Sequence, residues 1–521
     1  MTRLSPHASS PLRVVLSRRA RALPSMVGLG GTEYLLFSMA GLGCVAVVLY
    51  SMAGVGDGDG EALQSRRQVE EERSFCLPDT SVCPERRSLS DRNLPPVPTR
   101  WRGGPGFSAS SCNRKLVDAR FFSQGHGAHF GAAAVASNGS VEFMSPRDAD
   151  GHGTHTALTA AGSVAYDASM EGYASGVAKD VAPKDRVCWK SAGGMDSDIL
   201  AGFDHAVADG VDVISVSIGG DGGVTAPFYL DPITIGAYGA VSRGVFVATS
   251  AGNEGPTSMS VTNLAPWLAT VAAGTIDRNF PAEIVLGDGR RLSGVSLYSG
   301  KPLANSSLPL YYPGRTGGLS AWLCMENSID PSPVKGKIVV CDRGSSLLVA
   351  KGMVVKEAGG AAMVDAHVLP ACAVGEKEGD AVKAYAANAS NPTATISFGG
   401  TVVGVKLAPV VASFSVRGPN RLVPEILKPD FIAPGVNILA AWTGATGPTA
   451  LEGDARRTEF NILSRTSMAC PHASGATKVS RGRPWRAGQA GDVGRGGARR
   501  GGMGRRVGVG SSPCSEKMNA S

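Results

Sequence analysis

Between residues 197 and 275 the chain alternates two hydrophobic periods. In "SDILAGFDHAVADG" (197–210) the apolar residues Ile199, Leu200, Phe203, Ala206 and Val207 recur at helical spacing and define one face. The next run, "VDVISVSIGG" (211–220), is β-branched and closed by glycines, the pattern of a strand buried on both sides. "DPITIGAYGAVSRG" (231–244) predicts a second helix, and "VFVATSAGN" (245–253) and "LATVAAGT" (268–275) predict two more strands. Helix and strand alternating in this way predict an α/β fold, a parallel sheet with helices on both faces. In such sheets chemistry collects where strands end at their carboxyl side, which singles out Ser217-Ile-Gly219 and Ala251-Gly-Asn253.

From about 300 to 400 the rhythm changes. "VKGKIVVCDRG", "KGMVVKEAGGAAMV" and "TATISFGG" predict short strands with one helix between Gly-rich turns, an inserted small β-rich domain. The first rhythm resumes near Lys428. "KPDFIAPGVNILAAW" is strand-like with a proline corner, and "NILSRTSMACPHASG" brings Ser467 to the entrance of a small-residue helix.

Composition changes this picture only at the ends. A chain of 521 residues exceeds one ordinary core, and 43% hydrophobic with 18% charged residues is a globular balance. The formal charge of +7 is local: residues 478–521 carry ten Lys/Arg against two Asp/Glu, so the body is near neutral. That tail, "GRGGARRGG" within it, resembles Arg-Gly-Gly segments that bind RNA, but its glycines and Pro484 also mark plain disorder, the favoured expectation. At the other end Arg13, Arg18, Arg19 and Arg21 precede an uncharged apolar run from Tyr34 to Gly56, which predicts a signal sequence or a membrane anchor within residues 1–60. Sequons at Asn138, Asn305, Asn388 and Asn519 are compatible with secretion. The ten cysteines form no CxxC pair, which argues against a zinc site or a thioredoxin-like motif; no cofactor or metal ligand is expected, and calcium dependence is not legible.

The densest polar chemistry is "DGHGTHTA" (150–157), with two histidines and an aspartate in eight positions. A serine hydroxyl attacks a carbonyl only when a base takes its proton, a carboxylate orients the base and donors meet the oxyanion. Ser467, among small residues at a helix entrance, stands where such a nucleophile is required.

Together, "PRDADGHGTHTALTAAGS", "ATSAGNEGP", "APGVNILAAW" and "TSMACPHASG" resemble the subtilisin-like serine proteases, specifically plant subtilases with an inserted protease-associated domain. The likeness runs from about residue 77 to 475. It implies a catalytic domain over 77–290 and 406–477, a protease-associated insertion over 291–405 and a Gly/Arg-rich tail over 478–521. The implied activity is endopeptidase cleavage of a polypeptide substrate outside the cell, with no nucleic-acid partner. By the resemblance His152 is the general base, His155 a structural neighbour, Ser467 the nucleophile and Asn253 the oxyanion donor. Ser217 and Gly219 fall where the family pairs substrate backbone, and Asp79 matches the triad aspartate in "LPDTSVCPERRS".

Four departures from the family pattern accompany these matches. "RRQVEEERSF" is too charged for a central strand leading to Asp79, and the strand at Arg186 is expected to be shortened. Arg465 replaces a glycine beside the nucleophile, where a positive φ would cost about 1–2 kcal/mol. Nothing between Gly56 and Asp79 resembles an inhibitory propeptide. A catalytically impaired relative is therefore the alternative, and oligomeric state is not legible.

Overall fold

The computed structural model describes residues 25–29, 32–36, 73–77, 81–104, 111–130, 145–192, 195–219, 226–303, 307–315, 318–344, 348–364 and 368–477. Two compact units divide the chain at Asp59 and Gly60. The first contains an antiparallel hairpin of Ser25–Leu29 and Thr32–Leu36, with Ser25 opposite Leu36. The expected apolar run begins inside its second strand, and residues 37–56 lie outside the described residues, as does the tail 478–521. Among the described residues no helix is long and apolar enough to cross a membrane.

The second unit is built on a seven-stranded sheet whose neighbouring strands all run parallel. Its strands are β1 Ser74–Leu77, β2 Leu116–Phe122, β3 Arg186–Ala192, β4 Val213–Val216, β5 Phe246–Ser250, β6 Ala269–Gly274 and β7 Phe431–Pro434, in the order β7-β6-β5-β4-β1-β3-β2. The chain turns first to one side of β1 and then, from β4 onward, to the other. This reversal makes the carboxyl end of β1 and β4 the topological switch point, where α/β sheets open a crevice.

Two expectations from the sequence are corrected here. β1 is central despite its charged approach, because the charges stop at Arg73 and Phe75 and Cys76 are completely buried. β3 is not short: seven residues pair with strands on both sides. Its opening Arg186 is buried, its guanidinium donating to the carbonyls of Arg114, Pro95 and Pro96, so hydrogen bonds to main chain replace lost solvation. Across β1 and β3, register partners Cys76 and Cys188 form a disulfide.

The helices α1 His152–Ala161, α2 Asp196–Asp209, α3 Pro232–Ser242 and α4 Thr466–Ala476 cover the sheet. In α2 the face read from the sequence is inward: Ile199, Phe203 and Ala206 are buried against β4 and β5 residues such as Ile214, Val216 and Val247. α3 starts with the expected signals, Pro232 at its first turn and the Asp231 carboxylate accepting from the Ile233 (3.0 Å) and Thr234 (3.4 Å) amides. A second sheet orders strands 362–364, 338–340, 308–311, 393–398, 281–286, 291–295 and 373–374 over a separate core of Ile284, Val339, Val355, Met363 and Ile396, beside a Cys324–Cys341 disulfide.

Gly236 shows how tightly the helices pack. A methyl group there would lie 2.6 Å from the Phe203 ring of α2. Alanine in a helix is normally favoured over glycine by about 1 kcal/mol, but overpacking a filled site costs about 1–3 kcal/mol. Gly236→Ala should therefore lower the urea midpoint, and adding Phe203→Leu should recover part of the loss. A midpoint raised by the single substitution would mean that the α2–α3 contact has slack.

Candidate active site

His152 is the first residue of α1, and the turn before it is over-determined. Gly151 has φ 98°, a left-handed conformation that favours glycine, and its missing side chain leaves room for Trp442, whose ring would sit 2.6 Å from a Cβ. The buried Asp148 carboxylate accepts from the Gly151 amide (2.8 Å), the Thr154 amide (2.8 Å) and the Thr154 hydroxyl (2.5 Å). Thr154 Oγ1 in turn accepts from the Cys83 amide at 2.9 Å, and the Asp148 amide donates to the Val82 carbonyl at 3.2 Å. The helix carrying His152 is thus tied to the loop that follows β1. Burial and the nearby Asp150 push the Asp148 carboxyl upward, while the three donors favour its charged form.

The second histidine has a different environment. His155 is fully buried, with Nε2 3.1 Å from the Ile438 carbonyl and 3.2 Å from the Asn461 carbonyl. Two carbonyls require a proton on Nε2, and burial lowers the pKa to about 3, so the ring is a neutral donor holding strands Ile438–Ala441 and Phe460–Leu463 to α1.

Ser467 is the second residue of α4, which packs beside α1. A methyl on Gly475 would come within 2.7 Å of the Ala160 carbonyl. Gly475 lies eight residues after Ser467 and Ala160 eight residues after His152, so the contact joins the later turns of the two helices. Asn253, three residues beyond β5, accepts at Oδ1 from the Thr466 amide (2.9 Å) and hydroxyl (3.1 Å). A main-chain N–H needs an acceptor, so the amide oxygen faces Thr466 and the NH2 group faces away from it. Ser217, just past β4, is buried: its hydroxyl donates to the Ser467 carbonyl at 2.9 Å, and its carbonyl accepts from the Ser467 hydroxyl at 3.1 Å. Gly219 is exposed two residues on. Behind the serine, burial pushes the Cys470 thiol up to about 11 and keeps it protonated.

The strain expected at Arg465 is absent. Its φ of −160° and ψ of 165° are extended backbone open to any residue, and its side chain is exposed. The need for glycine lies opposite, at Gly435, which accepts from the Arg465 amide at 2.9 Å and where a Cβ would lie 2.6 Å from Ala273 Cβ and 3.0 Å from the Arg465 carbonyl. Asp79 lies outside the described residues, two positions past the end of β1. The structure brings together Ser467, Asn253 and Ser217, with His152 on the adjacent helix. Sequence reasoning missed Asp148 and Thr154, although an Asp two residues ahead of "DGHGT" was a visible capping signal.

The model of the Subtilase family matches residues 79–485. Subtilisin-like protease SBT1.6 of Arabidopsis thaliana is 64% identical over 423 residues, 77% of this chain and 55% of the relative. Subtilisin-like protease SBT1.5 of the same plant is 54% identical over 429 residues, 76% of this chain and 54% of the relative. The chain therefore spans about half the length of the relatives it matches.

A pH dependence follows from the neutral histidines. His472 of α4, its Nδ1 2.8 Å from the Met468 carbonyl, is lowered to about 4 by burial. Below the unfolded value near 6.5 the unfolded chain takes protons that the folded one refuses, so stability is complete above that pH and falls as pH drops towards 4. Each such histidine contributes a slope of about 1.4 kcal/mol per pH unit. Between pH 6 and 4, His472→Gln should show an unfolding free energy that falls less steeply than the parent's by about that amount. Parallel curves would mean His472 is protonated in the folded protein.

Proposed function

Since the chain belongs to the subtilase family, we propose that it is a serine endopeptidase in which Ser467 attacks the peptide carbonyl and His152 takes the proton. The observation that carries this reading is the orientation of Asn253: with its oxygen bound by Thr466, its amide nitrogen is turned out as a donor beside the leading turn of α4. Among the described residues no hydrogen bond uses the Ser467 main-chain N–H. That N–H and the Asn253 amide are the two donors for the oxyanion, and the positive end of the α4 dipole adds to them.

The reaction runs in two halves. The hydroxyl proton passes to the His152 imidazole as Ser467 Oγ bonds to the carbonyl carbon, and imidazolium then protonates the leaving amine. Water, deprotonated by the same histidine, releases the acyl group and restores the serine. Asp79 would hold the imidazole in the needed tautomer. Segment 217–219, past a strand end, would pair with the substrate backbone, and the insertion over 291–405 is a protease-associated domain in this reading. Secretion, with processing or anchoring through residues 34–56 and glycosylation at an exposed sequon such as Asn388, completes the proposal. The relaxed backbone at Arg465 removes one reason to expect an impaired enzyme.

A fluorophosphonate probe should label the purified chain, and Ser467→Ala should abolish labelling; labelling that survives would rule out this nucleophile. Asn253→Leu should lower kcat by roughly 10²- to 10³-fold, the loss known for removing the oxyanion asparagine of subtilisin. KM should barely change because the bond forms chiefly in the transition state. A variant that loses its melting transition yet keeps turnover per folded molecule would assign Asn253 to the scaffold.

A further inference from the structure

Pro471 lies within α4, four residues after Ser467. In a regular helix the N–H of residue 471 would donate to the carbonyl of residue 467, but proline has no N–H. The Ser467 carbonyl, belonging to a residue only 6% exposed, is consequently deprived of its helical donor. An unpaired buried carbonyl costs about 1–3 kcal/mol, so a partner is required. The Ser217 hydroxyl supplies it at 2.9 Å, from a different strand end, itself 4% exposed. The neighbouring carbonyl of Ser217 accepts the Ser467 hydroxyl at 3.1 Å, so one residue holds both the main chain and the side chain of the serine.

We propose that the Ser217 side chain is a positioning residue for Ser467, acting through the carbonyl that Pro471 leaves open; this rests on the serine-protease reading. Proline interrupts the helical ladder at the one carbonyl that fixes the nucleophile's backbone, and transfers that carbonyl's hydrogen bond from α4 to the end of β4. The serine is thereby referenced to the sheet as well as to its own helix. Since Ser217-Ile-Gly219 also stands where a substrate strand would pair, the same residue fixes the distance between substrate backbone and nucleophile. Ser217→Ala removes only the hydroxyl and preserves every main-chain group of that segment, so substrate pairing is unaffected.

The test is a double-mutant cycle of Ser217→Ala and Pro471→Ala in the full chain, read in kcat, KM and Tm. With Pro471 present, Ser217→Ala should lower kcat about ten- to hundred-fold with little change in KM, and lower Tm by several degrees. In the Pro471→Ala background the new main-chain N–H serves the Ser467 carbonyl, and the same Ser217→Ala change should cost less than about threefold in kcat and little in Tm. Equal costs in both backgrounds, or a Ser217→Ala enzyme with parental kcat, would overturn the proposal. A large rise in KM at constant kcat would also overturn it, by making the hydroxyl a substrate contact. If the parent chain turns over no peptide and takes no fluorophosphonate, the serine-protease reading fails, while the Tm cycle by itself decides whether Ser217 and Pro471 share one carbonyl.

Discussion

One side-chain oxygen governs how α4, the helix that carries Ser467, meets the sheet. Asn253 Oδ1 accepts both the amide and the hydroxyl of Thr466, the first residue of α4. A helix start leaves several N–H groups without partners, and Arg465 supplies no side-chain cap. Asn253 therefore caps the helix from another strand end. Gly252 joins in, its amide 3.2 Å from Thr466 Oγ1, with φ 110° allowing the chain to turn back towards the helix. Once the oxygen is committed, the NH2 group can only point elsewhere. A stabilising cap and an outward donor are then one group, and weakening the cap would misdirect the donor.

The same economy applies to the helix that carries His152. Asp148 and Thr154 join its first turn to Val82 and Cys83, while Thr443 donates to the Asp148 carbonyl at 2.5 Å. Segments around 82–83, 148–154 and 443 thus meet at Asp148, the first and last through its main-chain amide and carbonyl and through Thr154, while its carboxylate is held by Gly151 and Thr154. A buried carboxyl, charged or neutral, is tolerable only when its oxygens are hydrogen-bonded, so the set is intolerant of partial change. Elsewhere in the sheet the solution recurs: Lys190, without exposure, lies between Asp118 and Asp209 and joins β2, β3 and α2.

Much of the sheet was legible because parallel strands buried on both faces are written as apolar runs and their helices as one-sided ones. The strand predicted over 245–253 and the helix over 197–210 recur within a few residues of their observed limits. What failed was backbone conformation. Arg465 looked strained because a glycine usually marks freedom in φ, yet here the close approach falls on Gly435, which residue type alone could not indicate. β1 was obscured by the charges ahead of it, since four residues are too few to outweigh such neighbours in any window. The Cys76–Cys188 link was illegible for a different reason: it depends on which strands are adjacent, not on spacing along the chain.

The two histidines of "DGHGTHTA" show why residue type alone assigns no role. They lie three positions apart on one helix, close to one turn, and so face nearly the same way. His155, one turn deeper and fully buried, meets two carbonyls, and burial lowers its pKa to about 3, which makes it a neutral donor. His152 stands at the helix mouth, partly open, with its amide bound to Asp150 at 2.7 Å. The proposed general-base role needs access to solvent and substrate, and of the two positions the outer one is the partly exposed one. Depth along a single helix thus separates a buried structural imidazole from a partly open one, and the glycine at 151, by turning the chain sharply before His152, sets that depth.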